Sequence, residues 1–141
     1  MTMRATLPLV AVIDDDEPFL VLMYEVFKME GYDVVTARHP TDAFALLRDT
    51  PPDLMLLDLA FDRTRIAGLA LLRSIRADYQ SLVLPVIVTS AATDLLVMYE
   101  AEFAALNAAT LAKPFDLSDL INLAGVLVPG GACERRERNH E

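Results

Sequence analysis

The segment Val12-Ile13-Asp14-Asp15-Asp16-Glu17-Pro18 joins an apolar run to a helical pattern through three consecutive aspartates. The apolar run, Leu7–Ile13, is short and continuous rather than alternating, as is typical of a strand buried on both faces of a sheet. The stretch that follows, Glu17–Glu30, has helical character and is succeeded by Gly31, a residue that commonly ends helices. The segment therefore predicts a β-strand and an α-helix joined by an acidic turn, with Asp16 at the helix start.

The same alternation of apolar runs and helical patterns continues to residue 128. The further predicted strands are Tyr32–Ala37, Leu54–Asp58, Leu84–Thr89 and Ala108–Ala112. The further predicted helices are Thr41–Arg48, Leu69–Tyr79, Thr93–Leu106 and Leu117–Val128, the last with Asp116 as its expected cap. Five βα units in series predict a doubly wound α/β fold, because right-handed crossovers place helices on both faces of a parallel sheet. We expect five parallel strands in the flavodoxin-like order 2-1-3-4-5.

The length and composition are those of one globular domain, with 141 residues of which 54% are hydrophobic and 23% charged. We expect this domain over residues 1–128 and a flexible tail over residues 129–141, where Pro129-Gly130-Gly131 precedes a charged stretch. No apolar run approaches the roughly 20 residues of a membrane helix, and the N-terminus lacks the features of a secretion signal. These observations predict a cytoplasmic protein without a membrane partner.

The net charge of −9 argues against a nucleic-acid partner, because an acidic surface repels phosphate backbones and the chain has no basic stripe. We expect a protein partner instead, and a metal ion wherever carboxylates cluster. The lone Cys133 excludes a disulfide framework within the chain and is interpreted as a spectator thiol.

The polar residues at the carboxyl ends of the predicted strands form a candidate site, because all strands of a parallel sheet end at the same edge. They are Asp14, Asp15 and Asp16 after the first strand, Asp58 after the third, Ser90 after the fourth and Lys113 after the fifth. Taken singly, each is equally consistent with a helix cap, a turn residue or a surface charge. Taken together, carboxylates about 4–5 Å apart repel one another by a few kcal/mol per pair, so the cluster favours a bound cation or proton. An all-oxygen site of this kind suits Mg²⁺.

Four segments resemble the signature segments of response-regulator receiver domains, in the family's order and near its usual spacing. They are Val12–Pro18, Leu54–Leu59, Pro85–Ala91 and Lys113–Phe115. The resemblance covers residues 7–128 and not the tail. It implies that the chain accepts a phosphoryl group in a two-component phosphorelay. It also implies that the chain is not an enzyme acting on other substrates, since such domains catalyse only their own phosphorylation and dephosphorylation.

The resemblance further implies a role for each matched residue. Asp58 would be the phosphoacceptor and a metal ligand. Asp15 would bind Mg²⁺ directly, and Asp14 would contact the ion through water. The backbone carbonyl of Ala60 would complete the protein's share of the metal site.

Two more residues would serve the phosphoryl group. Ser90 would hydrogen-bond a phosphoryl oxygen, and Lys113 would pair with Asp58 before transfer and with the phosphoryl group afterwards. The resemblance implies a phosphohistidine donor, carried by a histidine kinase or a histidine phosphotransfer protein. A downstream protein target would then receive the signal.

Several positions depart from the family's pattern. The loop after Asp58 is longer than usual and lacks the usual proline, and its Arg63 and Arg65 are interpreted as solvated charges. Thr110 stands where an aromatic residue usually turns inward during the switch, and Ala92 is small at a place that tunes acyl-phosphate lifetime.

The first predicted helix is apolar nearly all round, whereas a helix that packs on a sheet needs only one apolar stripe. Leu20, Met23 and Phe27 fall at the spacing of a core-facing stripe. The apolar residues left over are Phe19, Val21, Leu22 and Val26. Either this helix is buried more deeply than usual, or these residues form a docking face for the phosphodonor or for a second copy of the chain in a homodimer.

Two other functions stay open on the sequence. A pseudo-receiver would use the fold only for protein contacts, without phosphorylation, and Thr110 is consistent with that. A haloacid-dehalogenase-like phosphatase would use Asp14-x-Asp16 as its nucleophile motif, together with an acidic pair after its lysine and usually a cap insertion. Here only Asp116 and Asp119 follow the lysine, and no stretch is long enough for a cap.

Overall fold

One sheet of five parallel strands forms the centre of the molecule. The strands are β1 (Leu9–Ile13), β2 (Asp33–Ala37), β3 (Leu54–Asp58), β4 (Val86–Ser90) and β5 (Ala108–Ala112). Their order is β2-β1-β3-β4-β5, as predicted. The computed structural model describes residues 6–61, 64–78 and 84–128, so the predicted tail over residues 129–141 lies outside the described residues.

Helices cover both faces of the sheet. They are α1 (Glu17–Met29), α2 (Pro40–Asp49), α3 (Ala67–Asp78), α4 (Thr93–Met98), α5 (Glu100–Ala105) and α6 (Leu117–Leu127). Within the described ranges, no helix is long and apolar enough to cross a membrane. The predicted doubly wound architecture, with helices on both faces, is confirmed.

The core lies in two layers because successive strand residues point to opposite faces of the sheet. On one face, Val10 and Val12 pack with buried side chains of α1 and α6, among them Phe27. On the other face, Ala11 and Ile13 pack with the buried residues of α2 to α5. All five residues of β3 and all five of β4 are buried, which accounts for their continuous apolar sequences.

Gly31 ends α1 through its backbone conformation, with a φ of 92°. Its N–H donates to the carbonyl of Lys28, and the N–H of Tyr32 donates to the carbonyl of Phe27, the pair of bonds that defines a Schellman cap. At the other helix ends the sequence was less informative. Asp16 and Asp116 occupy the N-cap positions of α1 and α6, but neither side chain makes a capping hydrogen bond.

The single helix predicted over Thr93–Leu106 is wrong, since the structure has α4 and α5 separated at Tyr99. Tyr99 has φ −103° and ψ 16°, values outside the helical region. The N–H of Tyr99 still donates to Leu95, and its carbonyl accepts from Phe103. The two helices are therefore one hydrogen-bonded unit with a bend at a residue that carries no glycine or proline signal.

A buried guanidinium binds the carbonyl groups that follow the end of α5. Arg76 of α3 is buried and donates from Nε to the carbonyl of Leu106 at 2.8 Å and from Nη2 to that of Asn107 at 3.3 Å. Burial lowers the pKa of Arg76 from its ordinary value. Asn107 has a φ of 57°, so the chain turns sharply here before it enters β5.

Gly68 lies in the first turn of α3, against the backbone at the end of β3. Its N–H donates to the carbonyl of Leu59 at 2.7 Å. A Cβ at this position would lie 2.1 Å from the carbonyl oxygen of Asp58 and 2.8 Å from the Cα of Leu59. Both neighbours are backbone atoms in a buried strand end, so only a residue without a side chain fits.

We predict that Gly68→Ala lowers the free energy of unfolding by about 1–3 kcal/mol, because the added methyl displaces backbone that packing holds in place. Gly125→Ala is the matched control, since a Cβ there meets nothing within 4 Å. In the last turn of α6 that exchange should stabilise by at most about 0.5–1 kcal/mol. Urea unfolding of both variants measures the two effects, and a stability loss of the same size at both glycines would contradict the steric argument.

Candidate functional site

Three aspartates meet at the carboxyl edge of the sheet because β1 and β3 are neighbours. The pairing of Ile13 with Leu57 places the residue that follows β1 beside Asp58, the last residue of β3. One carboxylate oxygen from each of Asp14, Asp15 and Asp58 lies within 4.8 Å of the others. The structure therefore brings these three predicted metal ligands together, while Asp16 is exposed at the start of α1.

The carboxylate of Asp14 is the most deeply buried of the cluster, with 1% of the residue exposed. Its Oδ1 accepts a hydrogen bond from the N–H of Asp16 at 2.9 Å. Its Oδ2 accepts from Nζ of Lys113 at 2.8 Å. A buried carboxylate needs such partners because burial without them would carry a large desolvation cost.

Lys113 lies between two carboxylates. Its Nζ is 2.8 Å from Oδ2 of Asp14 and 3.5 Å from Oδ1 of Asp58. The predicted pairing of Lys113 with Asp58 is thus present as the longer of two ion pairs. The ammonium offsets part of the repulsion between the two acids.

Asp58 has a pKa raised to about 6. Burial of the carboxyl group contributes most, and the negative charge of Asp14 comes next, with a smaller contribution of the same sign from Asp15. Lys113 acts in the opposite direction, through its charge and a hydrogen bond. At pH 7 the group is still mainly ionised, so it can act as a nucleophile or as a ligand.

The cluster suits a small, hard cation. Mg²⁺ takes oxygen ligands at about 2.0–2.1 Å in octahedral geometry, so adjacent ligand oxygens lie about 2.9 Å apart and opposite ones about 4.1 Å apart. Three carboxylate oxygens within 4.8 Å of one another are compatible with that arrangement after small adjustments. Ala60, whose carbonyl the sequence predicts as a further ligand, lies half-buried two residues beyond Asp58. Its role in coordination stays a prediction.

Ser90 is buried at the end of β4. Its Oγ accepts a hydrogen bond from the N–H of Ala92 at 2.9 Å. Its carbonyl accepts from the N–H of Lys113 at 2.8 Å, which ties the loop after β5 to the end of β4. The peptide bond between Lys113 and Pro114 is cis.

The neighbouring hydroxyl, that of Thr89, was not anticipated. Thr89 is fully buried opposite Asp58 in the register of β3 and β4, and its Oγ1 has no hydrogen-bond partner among the described residues. The sequence shows two hydroxyl residues in succession, but the alternation of a strand places them on opposite faces.

Phe19 also differs from expectation. The sequence predicts that it points away from the core, but it is half-buried, and Nζ of Lys113 lies 4.2 Å from the centroid of its ring. Val26 is half-buried too, whereas Val21 and Leu22 are exposed at 54% and 46%. The predicted apolar face of α1 is therefore smaller than the sequence suggested and centres on these two residues.

The departures from the family's pattern have structural counterparts. Thr110 is exposed on the edge strand β5. Arg65 is solvated, as interpreted, and also forms an ion pair with Asp94 at 3.4 Å that links the loop after β3 to the first turn of α4. Arg63 lies outside the described residues.

Comparisons with known proteins identify the family of this chain. The phosphate regulon transcriptional regulatory protein PhoB of Pseudomonas aeruginosa is 29% identical over 82 residues, which are 58% of this chain and 35% of PhoB. This chain thus matches only about a third of that relative's length.

Solved structures give the same result over more of the chain. The receiver domain of the Francisella response regulator 1452 superposes with a TM-score of 0.74 at 26% identity, covering 86% of this chain and 97% of that one. The receiver domain of NtrX from Brucella abortus superposes with a TM-score of 0.73 at 28% identity, covering 85% and 98%. The model of the family described as "Response regulator receiver domain" matches residues 10–124, and the chain belongs to that family.

Proposed function

We propose that the chain accepts a phosphoryl group on Asp58 from a phosphohistidine donor in a two-component phosphorelay. The observation that carries the proposal is the convergence of Asp14, Asp15 and Asp58 within 4.8 Å, with the Lys113 ammonium beside two of them. An ionised nucleophile, an oxygen-rich metal site and a fixed cation are the components that phosphoryl transfer needs.

In the transfer step, a carboxylate oxygen of Asp58 donates an electron pair to phosphorus while the phosphorus–nitrogen bond of the phosphohistidine breaks. The imidazole leaves with the electrons of that bond. The ammonium of Lys113 offsets the charge of the transferring group, and the hydroxyl of Ser90 donates to a phosphoryl oxygen. Mg²⁺, held by the three aspartates and the Ala60 carbonyl, would neutralise further negative charge at this site.

The proposed partners follow from this chemistry. The donor is a histidine kinase or a histidine phosphotransfer protein, and the output is a contact with a downstream protein. We infer a cytoplasmic location for the chain. The chain acts on no other substrate. Asp16, the second carboxylate of the dehalogenase-type motif, is exposed and outside the aspartate cluster, which counts against the phosphatase alternative.

We further propose that the donor docks on the exposed apolar residues of α1, Val21 and Leu22. This helix begins directly after Asp14 and Asp15, so a donor domain packed on its first turns would bring a phosphohistidine towards Asp58.

The first prediction is that Mg²⁺ and a small phosphoramidate donor add one phosphoryl group to the chain, measured by intact mass. Asp58→Asn should abolish the mass gain, and so should chelation of the metal. Asp16→Asn is the matched control, because it removes the same charge one residue from the cluster and should label normally. Unchanged labelling of the Asp58 variant would move the acceptor elsewhere, and no labelling of the parent protein would favour the pseudo-receiver.

The second prediction concerns pH. Without metal, the free energy of unfolding should decrease as the pH is raised from about 4 to about 6. Over that range folded Asp58 keeps its proton, because its pKa is about 6, while the carboxyl group of the unfolded chain, with a pKa of 3.8, has lost it. Asp58→Asn should flatten this slope and stabilise the metal-free protein at pH 7 by about 2 kcal/mol, less than the roughly 3 kcal/mol to which the pKa shift corresponds, because solvent screens part of the effect.

Magnesium at ten times its Kd should stabilise the parent protein by about 1.4 kcal/mol through preferential binding to the folded state. The same magnesium addition should have little effect on the Asp58→Asn protein. Urea unfolding at pH 4 to 7 measures both quantities. Parallel pH profiles for the two proteins would contradict the assignment of the raised pKa to Asp58.

The third prediction tests the donor surface. The double change Val21→Glu and Leu22→Glu should slow phosphotransfer from a protein donor at least tenfold, since each buried aliphatic side chain contributes roughly 1.5–3 kcal/mol before association costs. Labelling by a small donor should be unaffected. Met29→Glu is the control, because Met29 is exposed at the far end of the same helix. Equal losses with both donors would show that the change disrupts the domain rather than the docking surface.

A further inference from the structure

We propose that Phe19 is a positioning residue for Lys113, and that its ring holds the ammonium where the transfer of phosphate to Asp58 requires it. This inference rests on the proposed phosphoacceptor function. It concerns a residue in the first turn of α1 that lies next to the ammonium.

The geometry around the ammonium carries the inference. Nζ of Lys113 contacts Asp14 and Asp58 at 2.8 and 3.5 Å, and it lies 4.2 Å from the centroid of the Phe19 ring. That separation is well within the range in which a cation is attracted to the face of an aromatic ring. The lysine side chain is 21% exposed, so the ring covers part of a cation that water would otherwise surround.

A second aromatic ring packs against Phe19. Phe115 packs edge-on against Phe19, with ring centroids 6.2 Å apart and an angle of 87° between the planes. Phe115 is two residues beyond Lys113, so the loop that carries the lysine also supplies the support for the ring that contacts it. Leu22, Met23 and Leu117 complete the apolar hollow beside the two rings.

A lysine needs such support more than most cations. Its ammonium is a point charge on a flexible four-carbon chain, and fixing it costs rotamer entropy. A group that stabilises transition-state charge is effective when it is already in place before the reaction. The Phe19 ring restricts the position of the ammonium without adding negative charge. A third carboxylate in its place would offset more of the positive charge that the phosphoryl group needs.

The first experiment is a double-mutant cycle on the full chain with Mg²⁺ and a small phosphoramidate donor, which needs no docking surface. Phe19→Leu keeps the apolar volume but removes the aromatic face, and the labelling rate should fall by about 5- to 20-fold. Phe19→Tyr keeps the face and should stay within about twofold of the parent. In a Lys113→Met background, Phe19→Leu should cause no further loss. Leu117→Ala, which changes the same hollow but leaves the Phe19 ring in place, is the control.

A second measurement separates positioning from general stability. In the NMR spectrum, the methylene protons of Lys113 next to Nζ should show an upfield ring-current shift that is lost in Phe19→Leu and kept in Phe19→Tyr. An unchanged rate in Phe19→Leu, equal slowing in Phe19→Tyr, or a full effect in the Lys113→Met background would overturn the proposal. If the parent protein takes up no phosphate, the proposed function fails, while the presence or absence of the ring-current shift still decides the contact.

Discussion

The ammonium of Lys113 lies between two carboxylates that the sheet brings together, 2.8 Å from Asp14 and 3.5 Å from Asp58. Adjacent parallel strands end at the same level, so acids at the ends of β1 and β3 face one another. Two such charges within 4.8 Å of each other repel by at least about 3–4 kcal/mol at the dielectric constant typical of protein surfaces. Lys113 directly follows β5, the neighbour of β4, and its N–H donates to the carbonyl of Ser90, which anchors the loop at the same edge. The apolar sheet beneath, with β3 and β4 wholly buried, holds this unfavourable arrangement in place.

Most of the fold could be predicted because burial on both faces leaves a continuous apolar sequence. The bounds of β3 and β5 agree with prediction, whereas β2 begins one residue later than predicted and β4 ends one residue later. Both β1 and β4 begin two residues later than predicted. Pro8 and Pro85 lie within the predicted runs but lack the N–H that a ladder requires, so the two strands begin at the residues that follow them. An apolar run in the sequence indicates which residues are buried, but it does not show at which residue the hydrogen bonds between strands begin. The bend at Tyr99 had no local signal, because neither glycine nor proline is present there.

The composition of the site could be anticipated for a different reason, since parallel topology alone gathers the residues that follow each strand. Side-chain geometry could not. Asp14 is the nearer partner of Lys113, the ring of Phe19 faces the ammonium, and the hydroxyl of Thr89 is buried without a partner among the described residues. Each of these depends on rotamers and on distances between elements far apart in sequence, which no local pattern records. The individual roles of Asp14, Asp15 and Ala60 at a metal ion stay predictions.

Gly68 has a consequence for how this domain can evolve. The chain leaves the sheet at Leu59, whose N–H donates to Thr89 at 2.9 Å, and it returns at Gly68, whose N–H donates to Leu59 at 2.7 Å. Both ends of the excursion are thus attached to the same point beside Asp58. Doubling the length of a closed loop costs only about 0.6 kcal/mol. A longer excursion beyond Ala60 can therefore be accommodated while the Asp58 carboxylate keeps its position.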